Sequence, residues 1–457
     1  MASRSPGDPA LPGALMDFTP HTDADVRGML TALGLSQPAD LFSHLPAGVI
    51  LAEDLGLPEP LSELEVMRHV DRLGAENAST LCCFAGGGIY DHFLPPVVRA
   101  LTLRPEFVTS YTPYQPEVAQ GVLQALFEYQ SMVAAITGLP VANASLYDGA
   151  TSGLEAVNVA VAHTGRTVVW ISRGVRPHTR EIITTFARAR GLDVIEHPLV
   201  GGRTRWKPAA EPAAVVFSQP NHLGIVEDYD AAVTEAHGRG ALAIVEADPM
   251  LLGVLRRPGD AGCDIAFAEG QPLGNPMSFG GPVLGMFAVS AELLRRIPGR
   301  LVGETVDHHG RRAFTLTLRT REQDIRRDKA SSNICTNQTL NAIAAAVHLA
   351  WLGPEGLREV GRQSVQKAHH LAGLLTAIPG VALAHDAPFA REFALTLPAD
   401  PAIVVSGMAD RGFLAGIPLG PGYPEVPNGL VVAVTEKRTR HELDGYARSL
   451  REVLSHV

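Results

Sequence analysis

Tyr111, Thr112, Tyr114 and Glu117 fall inside the run Ser110-Tyr-Thr-Pro-Tyr-Gln-Pro-Glu117. Two phenols, a hydroxyl and a carboxylate at that spacing suit the wall of a polar active site. The same residues also suit a structural turn held by Pro113 and Pro116. A second stretch, Tyr147-Asp-Gly-Ala-Thr-Ser-Gly-Leu-Glu155, reads as a small-residue loop feeding a helix. Folds often hold a phosphate at such a place, because free backbone N–H groups and the helix dipole point outward. Asp148 would repel a phosphate there, but its carboxylate suits the cap of the helix itself.

These groups need elements to position them. Pro116 is placed to open a helix, and Glu117 follows where the dipole favours an anion. Val118, Val122, Leu126, Tyr129, Val133 and Ile136 recur at steps of three and four, which predicts one apolar face, and Gly138 and Pro140 stop the helix. From about 76 to 330, apolar runs alternate with helical segments such as Thr179–Arg190 and Tyr229–Arg239. The strand candidates are Thr167–Ser172, Leu192–Glu196, Ala213–Ser218, Leu242–Glu246, Asp264–Ala268 and Val283–Val289. Alternation of this kind predicts an α/β domain with a mostly parallel sheet covered on both sides. Ligands in such sheets sit outside the carboxyl ends of the strands, and Asp248 follows one of those ends. Two helices, Gln338–Trp351 and Glu355–Ile378, then precede short strands near Phe393–Leu397 and Gly429–Thr435 and a last helix from about Arg440. This part, 331–457, reads as a smaller C-terminal α+β domain. Residues 16–75 read as an N-terminal helical segment, interrupted at Ser36–Asp40, and 1–15 as a disordered extension rich in Pro, Gly, Ser and Ala.

The Ser110–Glu117 and Tyr147–Glu155 block resembles the glycine-cleavage P-protein family, and specifically the α (subunit 1) chain of its split form. Gly270-Gln-Pro-Leu-Gly-Asn-Pro-Met-Ser-Phe-Gly-Gly-Pro282 is similar to the family's glycine-rich loop. Pro298–Val306, Arg327-Asp-Lys-Ala-Ser-Ser-Asn-Ile-Cys-Thr-Asn-Gln338 and Val431–Thr439 are similar to further family motifs, in the same order. Several long motifs in order are far more specific than one short pattern. The resemblance runs from about Met16 to the C-terminus. It implies a fold-type-I, aspartate-aminotransferase-like architecture of the pyridoxal-phosphate (PLP) dependent transferases, with residues 76–330 as the large domain.

An enzyme of that kind needs a lysine amine for its Schiff base. The chain has four lysines, Lys207, Lys329, Lys367 and Lys437. Set against the family's catalytic β chain, where a His-Lys pair precedes a run of glycines, the lysine position falls on Gln271, which has no amine to offer. Lys329 belongs to a family motif but comes too late for the usual place. The resemblance therefore implies a chain without a catalytic lysine and with no cofactor contacts of its own, paired with a PLP-bearing β chain in an α₂β₂ assembly. The complex would decarboxylate glycine and pass the aminomethyl group to the lipoyl arm of the H-protein. Across the subunit interface, Tyr111, Thr112, Tyr114 and Glu117 would line the partner's site, and Ser331, Ser332, Asn333 and Thr336 would offer donors to its cofactor phosphate. Asp248, near the place of the family's pyridine-nitrogen partner, reads as a structural relic. His178, near a ring-stacking histidine of related enzymes, is open to that role or to ordinary hydrogen bonding. A non-catalytic scaffold subunit, a free-standing PLP enzyme using an unusual lysine, and a paralogue acting on another small amino acid are the rival readings.

Bulk composition excludes other classes. Of 457 residues, 46% are apolar and 19% charged, which is ordinary for a globular protein. A net charge of −10 argues against nucleic-acid binding, which needs a basic face. Arginines outnumber lysines 34 to four, a compositional bias. Cys82, Cys83, Cys263 and Cys335 lack paired C-x-x-C spacing, so neither a zinc site nor a disulfide framework is expected, and a reducing cytoplasm fits. Adjacent pairs His308-His309 and His369-His370 would not face one metal from a helix, and no metal site is expected. Gly86-Gly87-Gly88 lacks the G-x-G-x-x-G spacing of a dinucleotide loop. No apolar stretch reaches the length of a membrane span.

Overall fold

The computed structural model describes residues 20–51, 56–78, 80–207, 209–330 and 332–456. The expected extension 1–15 and Ser331 lie outside the described residues.

The described residues before 80 form one compact unit and those from Thr80 onward another. In the first, helix α1 (Asp23–Leu33) starts with a reciprocal capping box: Thr22 accepts the Asp25 N–H, and Asp25 accepts the Thr22 N–H at 2.8 Å. It ends at Gly34, whose φ of 69° suits glycine. Helix α2 (Glu63–Ala75) opens with the same device between Ser62 and Glu65. A short 3₁₀ turn at Pro38–Phe42 occupies the place where Ser36–Asp40 interrupts the helical pattern.

The second unit is built on a twisted sheet. Its strands are β1 (Val141–Ala142), β2 (Val168–Ser172), β3 (Asp193–His197), β4 (Ala214–Gln219), β5 (Leu242–Ala247), β6 (Ile265–Glu269) and β7 (Gly285–Val289). Their order is β1-β7-β6-β5-β4-β2-β3. Pairing is parallel from β3 across to β6, and only β7 runs against its neighbours. Every residue of β4, β5, β6 and β7 is buried, which is why these strands read as unbroken apolar runs.

Helices α3 (Gln120–Thr137), α4 (Gly149–Thr164), α5 (Pro177–Ala189) and α6 (Tyr229–Gly238) cover the sheet. Successive side chains of β6 go to opposite faces, as the period of a strand requires. Ile265 and Phe267 join the core with Leu154, Val157 and Ile183 of α4 and α5, whereas Ala266 and Ala268 join the core with Leu126 and Val133 of α3. Helix α7 (Thr339–Thr376) joins the two helices expected there, with a break at Gly353 (φ 60°, ψ −178°). Pro354 follows it, and a residue before proline is pushed out of the α region. Beyond α7, a second sheet orders β8 (Ala382–Leu383), β9 (Glu392–Thr396), β11 (Gly429–Ala433) and β10 (Ile417–Pro418) as β8-β9-β11-β10, and α8 (Arg440–Ser455) packs on it.

One local expectation is corrected. The helix does not open at Pro116: residues Pro116–Val118 make a single 3₁₀ turn, and α3 begins at Gln120 after Ala119 leaves helical geometry (φ −124°, ψ 18°). Gln120 fixes the break, because its amide donates to Pro116 O at 2.7 Å and exchanges two hydrogen bonds with the backbone of Phe314. Val118 is 83% exposed, so it is not part of the apolar face, while Val122, Leu126, Tyr129 and Val133 are buried. His308 and His309 sit in the turn between the hairpin strands Val302–Val306 and Arg312–Leu316 and not on a helix.

Candidate functional site

Strands β2, β4, β5 and β6 end on the same side of the sheet, and the residues that follow them converge. Gln271, expected at the place of a Schiff-base lysine, comes two residues after β6. It is 2% exposed and fully engaged. Its Oε1 accepts the Tyr90 N–H at 2.9 Å, and its Nε2 donates to Asn275 O at 2.8 Å and Tyr90 O at 3.3 Å. A side-chain amide thus clamps the backbone of Tyr90 from both sides.

Asp248 follows β5. Its carboxylate accepts the Met250 N–H at 3.1 Å and faces the Arg391 guanidinium at 2.6 Å. Arg391 lies just before β9, with its Cζ 3.6 Å from the centre of the Tyr90 ring, a cation–π contact in a desolvated place. Arg391 also donates to Nε2 of His92, whose Nδ1 faces Glu436 at 2.5 Å. Burial holds His92 below the usual imidazole range, so its neutral form accepts from Arg391 and donates to Glu436. The neighbouring Glu392 accepts the Tyr90 hydroxyl at 2.8 Å and the Gly87 N–H at 2.7 Å. A second buried pair, Arg176 and Glu246 at 3.3 Å, stands beside this cluster. Burial, the largest influence, would raise the Glu246 carboxyl, but Arg176, His178 and the hydrogen bonds from the Arg176 N–H and Thr179 together hold the group below its ordinary value.

The triple glycine is the seat of this cluster. A Cβ at Gly86 would lie 2.3 Å from Glu392 Oε1 and 2.6 Å from Ala433 Cβ. Gly87 and Gly88 both have positive φ, 72° and 119°.

The N-terminus of α4 forms the opposite end of the region. Asp148 caps it, accepting the Thr151 N–H at 2.7 Å and the Thr151 hydroxyl at 2.9 Å. Glu269, the last residue of β6, accepts the N–H groups of Gly149 at 3.0 Å, Gln271 at 2.8 Å and Leu284 at 3.1 Å. Burial raises its carboxyl to about 7 despite those donors. A cavity of about 430 Å³ lies here, lined by Gly86, Gly87, Gly88, Asp148, His178 and Glu269 among others, with His178 at its exposed rim.

PLP, the cofactor the resemblance implies for the assembled enzyme, does not fit these residues. Two carboxylates, Asp148 and Glu269, occupy the helix N-terminus and would repel a phosphate there, and Asp248 is already paired with Arg391. None of the four lysines lines the cavity. Lys437 pairs with Asp91 at 2.6 Å, Lys367 donates to Glu436 O, Lys329 lines a separate basic cavity with Arg295, Arg296, Arg321 and Arg326, and Lys207 is exposed.

The residues expected at an interface lie elsewhere in the second unit. Tyr111, Thr112 and Tyr114 line an open groove of about 730 Å³ with Arg104, Phe107 and Val118. Tyr114 is held there by Arg300 and Arg319, whose Cζ atoms lie 5.3 and 5.1 Å from its ring centre, and Arg300 donates to its hydroxyl at 3.2 Å. Tyr114 also borders a second cavity, of about 490 Å³, together with Asn333 and Cys335. Ser332 turns inward and accepts the Ile334 N–H at 3.2 Å, while Thr336 is exposed. Glu117 is exposed and lines neither cavity.

Tyr90, Arg391, Glu392, Glu269 and Arg176 were not singled out from the sequence. One signal existed: Arg391-Glu392 is a charged pair opening an apolar strand, where buried charges need partners. Among the described residues, no group of three or more His, Cys, Asp or Glu side chains is placed to hold a metal. No described helix is long and apolar enough to cross a membrane.

Comparison with known proteins gives this fold its family. The pattern of the family described as glycine cleavage system P-protein matches residues 16–449. The probable glycine dehydrogenase (decarboxylating) subunit 1 of Moorella thermoacetica is 46% identical over 445 residues, 96% of this chain and 100% of that one. Its counterpart in Chlorobium limicola is 47% identical over 443 residues, 95% and 99% of the two chains. A crystal structure of glycine decarboxylase (P-protein) of the glycine cleavage system, in inhibitor-bound form, superposes with a TM-score of 0.88 at 48% identity, covering 96% of this chain and 100% of that one. Sphingosine-1-phosphate lyase of Burkholderia pseudomallei shares the fold alone, with a TM-score of 0.65 at 15% identity over 91% and 95% of the two chains. The architecture is that of fold-type-I PLP-dependent enzymes, and the chain belongs to the glycine cleavage system P-protein family, in its subunit 1 branch.

Proposed function

We propose that the chain works in the cytoplasm as the α subunit of glycine dehydrogenase (decarboxylating), paired with a β chain that carries the cofactor and its lysine. PLP bound in the partner supplies the electron sink for loss of CO₂ from glycine. The aminomethyl group then passes to the lipoyl arm of the H-protein. This chain contributes half of the subunit interface and, through Tyr111, Thr112, Tyr114, Glu117, Ser331, Ser332, Asn333 and Thr336, part of the partner's site wall, within an assembly of two α and two β chains. The large-domain boundary near residue 330 and the small domain 331–457 belong to the same reading.

The observation that carries the proposal is Gln271. A chain close to half identical to full-length subunit 1 relatives has an amide at the lysine position, and that amide is committed to the Tyr90 backbone. A chain of this family without an amine at that position has use for a partner that supplies one. The test is to assay glycine-dependent CO₂ exchange with H-protein, using this chain alone, the β chain alone and the two mixed. Exchange only on mixing supports the proposal. Exchange by this chain alone overturns it.

A further inference from the structure

We propose that Tyr90 and Arg391 form an internal plug, which fills the space between the lysine position and Asp248 and keeps this chain's own cofactor site closed. The inference rests on the proposed reading that the cofactor belongs to the partner chain. It adds that a missing lysine is not the only reason.

The contacts are continuous from one end of the site to the other. Gln271 holds the Tyr90 backbone, the Tyr90 ring lies under the Arg391 guanidinium at 3.6 Å, and Arg391 meets Asp248 at 2.6 Å. Tyr90, Arg391, Asp248 and Gln271 are each no more than 2% exposed. A flat cation therefore stands against the aspartate that would face the nitrogen of a planar cofactor ring. An aromatic side chain fills the volume beside it. The plug is fastened from behind: Glu392 accepts the Tyr90 hydroxyl, and His92, backed by Glu436, accepts an N–H at the edge of Arg391. Gly86 leaves room for that fastening, since any side chain there would strike Glu392 and Tyr90. A lysine placed at 271 would meet the Tyr90 and Asn275 backbones in place of an aldehyde.

The test is the variant Gln271→Lys. The wild-type chain and the variant are incubated with PLP, reduced with borohydride, and mapped by peptide mass spectrometry, with thermal melting to show that each is folded. The plug predicts no adduct at position 271 in the folded variant. An adduct there, with none on the wild type, overturns the plug and leaves the partner's role untouched. An adduct on the wild-type chain overturns the reading beneath it. Should Gln271→Lys not fold, the cycle of Asp248→Asn, Arg391→Met and the double change decides. If the two groups neutralise each other, the double variant melts above either single variant, because no lone buried charge remains. A double variant that melts below both singles overturns the plug.

Discussion

Asp248 and Arg391 face each other at 2.6 Å with 2% and 1% of their side chains exposed, one just after a strand of the first sheet and the other just before a strand of the second. A lone charge left at that depth is costly, and removing one partner of a buried pair destabilises by about 3–5 kcal/mol. Arg391 also serves His92 and stacks on Tyr90, which takes a planar, forked cation. Arg391→Lys is therefore expected to lower the melting temperature clearly, although it keeps the charge. A lysine variant as stable as wild type would show that the flat guanidinium is not needed.

Gly86→Ala tests the seat of the cluster. The added methyl would lie 2.3 Å from Glu392 Oε1 and 2.6 Å from Ala433 Cβ. Overpacking of that kind costs about 1–3 kcal/mol. Urea unfolding of the variant reads the loss directly, and an unchanged midpoint would mean that Glu392 yields without strain.

Glu269 predicts a pH dependence. Burial raises its carboxyl to about 7 in the folded chain, against an ordinary 4.5. Between those values the folded state holds the proton more tightly than the unfolded state. Stability from this group is therefore present below pH 4.5 and is lost as pH rises through 7, by on the order of 3 kcal/mol. Glu269→Gln, which imitates the protonated side chain, should flatten the fall in melting temperature between pH 4.5 and about 7. An identical slope in variant and wild type would assign the dependence to another group.

Much of the architecture was legible because buried parallel strands are long apolar runs: β4, β5 and β6 begin and end within one residue of the expected strands. Gln271 drew attention because it sits inside a long motif. Its clamp was not legible, since Tyr90 lies 181 residues away in the chain, and the Tyr90–Glu392 bond spans 302. Side chains brought together only by the tertiary fold leave no local periodicity to read. The false helix start at Pro116 has a similar cause: Gln120 is tied to Phe314, a contact invisible from its own neighbourhood.

Tyr114 separates a site-lining subunit from a scaffold. It borders both cavities, yet Arg300 and Arg319 also hold it in place. Tyr114→Phe removes only the hydrogen bond from Arg300, and Tyr114→Ala removes the ring. With the complex intact, the alanine variant is expected to lower glycine exchange by up to about a hundredfold, the scale of a misplaced reacting group. Full turnover by an intact Tyr114→Ala complex would favour the scaffold.

The central claim is that the catalytic amine resides in the partner. Borohydride trapping with PLP, on this chain alone and then on the chain mixed with a β partner, tests it most directly. The account predicts no adduct on this chain in either sample, an adduct on the partner, and glycine-dependent CO₂ exchange only in the mixture. An adduct on this chain alone would contradict it, and Lys329 would be the first position to map.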